Sequence, residues 1–137
     1  MITYADLTES QREFYLKALI AVAQADEQLD EEEITFFSQI AVGVGLEGEQ
    51  IAHFLEGDPL DVSEIPAMRN AVGALILRDL SAMAVVNNDL LPKEEDLILE
   101  IGKAMQFSPD EVEEFLNWAF MGLQWQLKST SLLEKYA

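Results

Sequence analysis

Shifted along itself by 61 residues, with no gap, the chain meets its own pattern again. Leu16, Leu19, Ala21 and Ala23 fall on Leu77, Leu80, Ala82 and Ala84, Leu29 on Leu90, Glu33 on Glu94, Ile40 on Ile101, and Phe54-Leu55 on Phe115-Leu116. These nine identities lie within the 42 positions from Phe14 to Leu55, and most of the other apolar positions exchange one apolar residue for another. Three apolar-periodic segments and two connections held in register signal the duplication of a helical triplet. A unit of about 60 residues buries only about 60% of its unfolded surface, so two triplets are expected to share a core. The expected fold is all-α: a compact helical bundle of two pseudo-repeated three-helix units in one domain over residues 1–137. The halves run roughly 8–56 and 66–128, with a linker at 57–65.

Local signals support that plan. Thr8-Glu-Ser-Gln11 is a capping box, and the near-continuous apolar run Phe14 to Val22 after it predicts a helix buried on most sides. Asp30-Glu-Glu-Glu33 opens a second helix with Ile34, Phe37, Ala41 and Val44 on one face, and Gly43 and Gly45 lie where it should end. A short third helix carries Ile51, Phe54 and Leu55 before Gly57-Asp58-Pro59 breaks the chain. The apolar stretch Ala67 to Val86 approaches membrane-spanning length. It contains Arg69, Arg78 and Asp79, each costing roughly 2.5–3.5 kcal/mol near a bilayer centre, so it reads as a buried central helix. Pro92 and the capping box Ser108-Pro-Asp-Glu111 start the last two helices.

Composition narrows the function. Among 137 residues there are 26 Asp and Glu against 8 Lys and Arg, a net charge of −18, which repels nucleic acid and anionic membranes. With no Cys and one His, thiolate chemistry, a zinc site and imidazole base catalysis lack their parts, and the chain is not expected to be an enzyme. Gly43-Val-Gly-Leu-Glu-Gly48 matches a dinucleotide-binding pattern in letters only, because it follows a helix and holds Glu47 where a pyrophosphate would sit. His53, between Ile51 and Phe54, has no nucleophile nearby in sequence and reads as a surface residue. The N-terminus lacks the basic and apolar regions of a signal peptide, so a cytoplasmic location is expected.

The sharpest local feature is acidic: Asp26, Glu27, Asp30, Glu31, Glu32 and Glu33. Asp30 as an N-cap, Glu33 as its capping-box partner and three Glu in a first turn all suit helix initiation. Asp26 and Glu27 precede the cap and are not needed for it. Carboxylates about 7 Å apart repel by roughly 0.6 kcal/mol per pair in water, a cost that a hard divalent cation, Ca²⁺ or Mg²⁺, would relieve. The EF-hand pattern is absent, since its sixth and twelfth positions fall on Glu31 and Phe37. In the second copy, Asn87-Asn-Asp-Leu-Leu-Pro-Lys-Glu94, Asp89 and Glu94 remain, and Asp89 would complete a shared site if the two loops converge.

These residues, Ala23-Gln-Ala-Asp-Glu-Gln-Leu-Asp-Glu-Glu-Glu33 followed by Phe36-Phe37, Ile40 and Leu46, resemble the TerB-like (tellurite-resistance protein B) family over nearly the whole chain. The family's hallmark is Ala-Asp-Gly, a Leu, then a capping residue with Glu three positions later, often twice per chain. The resemblance implies an all-helical fold of pseudo-symmetric halves, a bacterial stress-response setting, and metal-linked or scaffold roles. It carries the family's acidic positions onto Asp26 and Glu33, and onto Asn87 and Glu94. Glu27 and Asn88 stand where the family has Gly, and Asn87 replaces an Asp. The candidate metal ligands are therefore Asp26, Asp30, Glu33, Asp89 and Glu94.

The last helix has a second apolar face. Beside Val112, Phe115, Leu116, Ala119 and Leu123 it carries Trp118, Met121 and Trp125. Either Leu132, Leu133 and Tyr136 of the tail cover this face, which is the favoured expectation, or it meets a protein partner as a monomer or weak homodimer would present it. Two functions are thus carried forward: a divalent-cation-binding TerB-like module, and a metal-free interaction scaffold using its acidic face or the Trp118/Trp125 face.

Overall fold

The computed structural model describes residues 2–25, 31–86 and 91–137. Among them the chain is all-helical, with α1 (Glu9–Ala23), α2 (Glu31–Gly43), α3 (Gly48–Glu56), α4 (Ala71–Val85), α5 (Pro92–Ala104) and α6 (Pro109–Lys135). Short 3-10 turns occupy Tyr4–Asp6 and Val62–Glu64.

The start signals become helix ends. The Thr8 hydroxyl accepts from the Gln11 amide at 3.1 Å while Gln11 Oε1 accepts from the Thr8 amide at 2.9 Å. Ser108 and Glu111 repeat that exchange at the head of α6, at 3.2 and 2.9 Å. Asn70 caps α4 by accepting from the Val72 and Gly73 amides, and Pro92 is the first residue of α5. Each bond satisfies an N–H that the first helical turn leaves without a partner. The expected cap at Asp30 lies outside the described residues.

One cluster of buried residues is fed by α1, α2, α4, α5 and α6. Helix α4 is its axis, packing against α1, α2, α5 and α6. It buries Leu75, Ile76, Leu77, Leu80, Met83 and Ala84, while α1 contributes Tyr15, Leu16, Leu19 and Val22. Helix α5 approaches α6 closely at Gly102, where a Cβ would collide with the Val112 side chain. No helix among the described residues is long and apolar enough to cross a membrane.

Two helices end the same way. The amide of Leu46 closes α2 on the Ala41 carbonyl at 2.9 Å, with Gly45 at φ +92°. The amide of Phe107 closes α5 on the Gly102 carbonyl at 2.9 Å, with Gln106 at φ +77°. Gly adopts this left-handed conformation freely and Gln does so at a cost.

The expected face of α2 needs one correction. Phe37 and Ala41 are buried and Val44 is partly buried, but Ile34 is exposed. The position one turn before Phe37 on the core side belongs to Glu33, and this rotates Ile34 outward.

Candidate functional site

Of the five carboxylates expected to hold a cation, Asp26, Asp30 and Asp89 lie outside the described residues. The other two occupy the third positions of α2 and α5, and both are buried: Glu33 and Glu94 are each only 1% exposed. Neither is without a partner. A buried carboxylate carries a large desolvation cost unless it is hydrogen-bonded, paired or bound to a metal. Among the described residues no three Asp, Glu, His or Cys side chains come together as a metal-binding group. Glu31 and Glu32, at the start of the same helix, are exposed. His53 is likewise exposed on α3, its ring 6.2 Å from that of Phe54.

The aromatic face of α6 is better defined. Val112, Leu116 and Ala119 are buried against the bundle, with Phe115 and Leu123 half-buried beside them. From Gln124 onward every residue is exposed. Helix α6 has 27 residues and is therefore about 40 Å long, and its second half stands clear of the bundle. Trp118 is 53%, Met121 66% and Trp125 77% exposed. The expectation that the tail covers this face is overturned. Leu132, Leu133 and Tyr136 continue the same unbroken helix or its cap, so they cannot fold back, and they are exposed themselves.

These side chains form a stripe. Trp118, Trp125 and Leu132 recur at seven-residue steps, with Met121, Gly122, Ser129 and Tyr136 on the same side. Where the stripe leaves the bundle it edges a groove of about 420 Å³ against Phe36 of α2 and Val85 and Val86 at the end of α4. Nothing lies within 4 Å of where a Cβ on Gly122 would be.

A third feature went unread in the sequence. Asp79, in the middle of α4 and only 6% exposed, accepts from the Tyr4 hydroxyl at 2.6 Å, from the Tyr15 hydroxyl, and from Arg78 Nε at 2.8 Å. The two phenol oxygens are 2.8 Å apart. Burial, reinforced by the neighbouring carboxylate, pushes both phenols above their usual range, Tyr15 far above it. The bond to Asp79 raises the Arg78 guanidinium further. Phenols this hard to ionise are poor general bases, and the cluster clasps the N-terminal turn to α1 and α4. The sequence signal was an Asp inside an apolar run, a place where a carboxylate must find donors.

No family model, curated protein or solved structure matches the chain.

Proposed function

We propose that the chain is a non-catalytic, cytoplasmic protein-interaction module of TerB-like build that engages a protein partner through the Trp118, Met121 and Trp125 face of α6. The observation that carries this reading is the exposure of that stripe on a helix running beyond its own bundle. Contiguous exposed apolar surface of this kind marks interaction sites, and Trp is enriched among their anchors. The architecture proposed beneath it is a pair of repeated three-helix units. Its support is the spacing of helix starts, α2 and α5 at residues 31 and 92, α3 and α6 at 48 and 109. Gly45 and Gln106 share that 61-residue offset. A photo-crosslinking amino acid placed at position 125 in cells should capture a protein, while one at the exposed His53 position should not. Equal capture at both positions, or none at 125, removes the reading.

One observation favours a second reading. Glu33 and Glu94, 61 residues apart, are both buried; Asp26 and Asp30 precede the one in sequence and Asp89 the other, and an oxygen-seeking divalent cation, Ca²⁺ or Mg²⁺, suits such a set. Chelator-treated protein melted with each ion at constant ionic strength tests it. An ion at 100 times its Kd adds about 2.7 kcal/mol of stability, and Asp26→Ala should lose that gain. Equal responses from all ions and from the variant leave only charge screening.

A further inference from the structure

We infer that the occupant of the α6 face is a second copy of this chain, the two α6 helices lying antiparallel with Trp125 at the two-fold axis. The inference rests on the interaction reading above and names its partner. Charge is the first argument. Beyond Glu114 the chain's 26 acidic residues leave only Glu134, while Lys128 and Lys135 both lie there, so this stretch carries +1 in a chain of net charge −18. Two such acidic molecules can bring this surface together without stacking like charge.

Direction follows from the same helix. Its first turns hold Asp110, Glu111, Glu113 and Glu114, and its last turns hold Lys128 and Lys135. With Trp125 at the axis, antiparallel pairing sets Lys135 of each helix opposite Phe115, next to Glu114, of the other, and opposes their dipoles. Parallel pairing sets acid on acid and both bundles side by side. Centred on Trp125, the seven-residue stripe is self-complementary: Trp118 meets Leu132 of the second copy, and Leu132 meets its Trp118. Such isologous pairing is what a two-fold interface requires. Gly122 and Ser129 leave room beside the central Trp.

The area is sufficient. At about 200 Å² per aromatic side chain, the exposed fractions of Trp118, Trp125 and Tyr136 offer roughly 400 Å² per copy. That is half of the about 800 Å² a standard interface takes from each partner, and Met121, Leu132 and Leu133 add to it. The projecting half of each helix would also lie along the other copy's groove at Phe36, Val85 and Val86.

The chain has no cysteine, so engineered disulfides report cleanly. Met121→Cys and Ser129→Cys should each stay uncrosslinked alone on mild oxidation and form a disulfide-linked dimer when mixed. Self-linking of either single variant points to parallel pairing and overturns the arrangement. Sedimentation equilibrium of the unmodified chain should show reversible dimerisation that Trp125→Glu weakens by at least about thirty-fold, as expected of an anchor at an interface centre. A chain that remains monomeric at millimolar concentration overturns the inference. If the crosslinker at position 125 then captures a different protein, the interaction reading stands without the second copy; if it captures nothing, both fall.

Discussion

Tyr15 on α1 and Asp79 on α4, 64 residues apart in sequence, are joined by a buried hydrogen bond that Tyr4 shares from the N-terminal turn. The bond ties the first helix to the axis of the bundle at a point where a lone carboxylate would be costly. Tyr15→Phe should therefore destabilise the fold by about 1.5–3 kcal/mol, the usual worth of a hydrogen bond to a charged group. The pH dependence is also fixed. The Tyr15 phenol is raised in the folded state, so its contribution is complete below the ordinary phenol range near pH 10 and is lost as pH rises beyond it. Urea titrations at rising pH should show an alkaline loss of stability that Tyr15→Phe blunts; an unchanged alkaline slope would show that the phenol is not held protonated.

The two left-handed helix ends invite reciprocal exchange. Gln106→Gly relieves a conformation costing an L-residue about 1–2 kcal/mol, less the greater freedom Gly gains on unfolding, so a net gain of roughly 0.5–1 kcal/mol is expected. Gly45→Gln should lose about 1 kcal/mol. Denaturant midpoints moving in the same direction for both variants would contradict the shared geometry.

Gly102→Ala should cost about 1–3 kcal/mol, because the new methyl must displace Val112 where α5 and α6 touch. Gly43→Ala, with open space around it, serves as the control and should change stability by no more than about 0.5 kcal/mol.

Both tryptophans of the chain lie on the exposed stripe. Dilute folded protein should thus emit at long wavelength and be readily quenched by acrylamide, and emission should move to shorter wavelength as concentration rises. Trp125→Phe should remove most of that shift. Short-wavelength, unquenchable emission from dilute monomer would mean that the stripe is covered.

Much of the fold was legible because its signals are local. Thr8/Gln11 and Ser108/Glu111 cap helices by contacts within one turn, and Gly43 to Gly45 end one within three residues, so sequence spacing and geometry coincide. The core stripe of α6 from Val112 to Ala119 was readable for the same reason. What failed depended on distance. Glu33 takes a core position that hydrophobicity alone awards to Ile34, since a buried Glu needs surroundings that spacing does not reveal. Tyr4, Tyr15 and Asp79 meet only through the docking of α1 on α4. A return of the tail at Leu132 and Leu133 to Trp118 needs a break in the helix, yet from Leu123 to Lys135 no Pro or Gly interrupts it. Of the metal candidates, burial is known for Glu33 and Glu94, and no local rule predicts it.

The packing of α1 on α4 has a consequence for synthesis. The apolar side of α1 is complete when Ala23 is joined, and α2 and α3 cover part of it, but α4, against which it packs most extensively, begins only at Ala71. At 5–20 residues per second a ribosome takes roughly two to ten seconds to cross that gap. During that interval the nascent chain carries α1, with Leu16, Leu19 and Val22, lacking the α4 part of its cover, an opening for chaperones that closes only as α4 emerges.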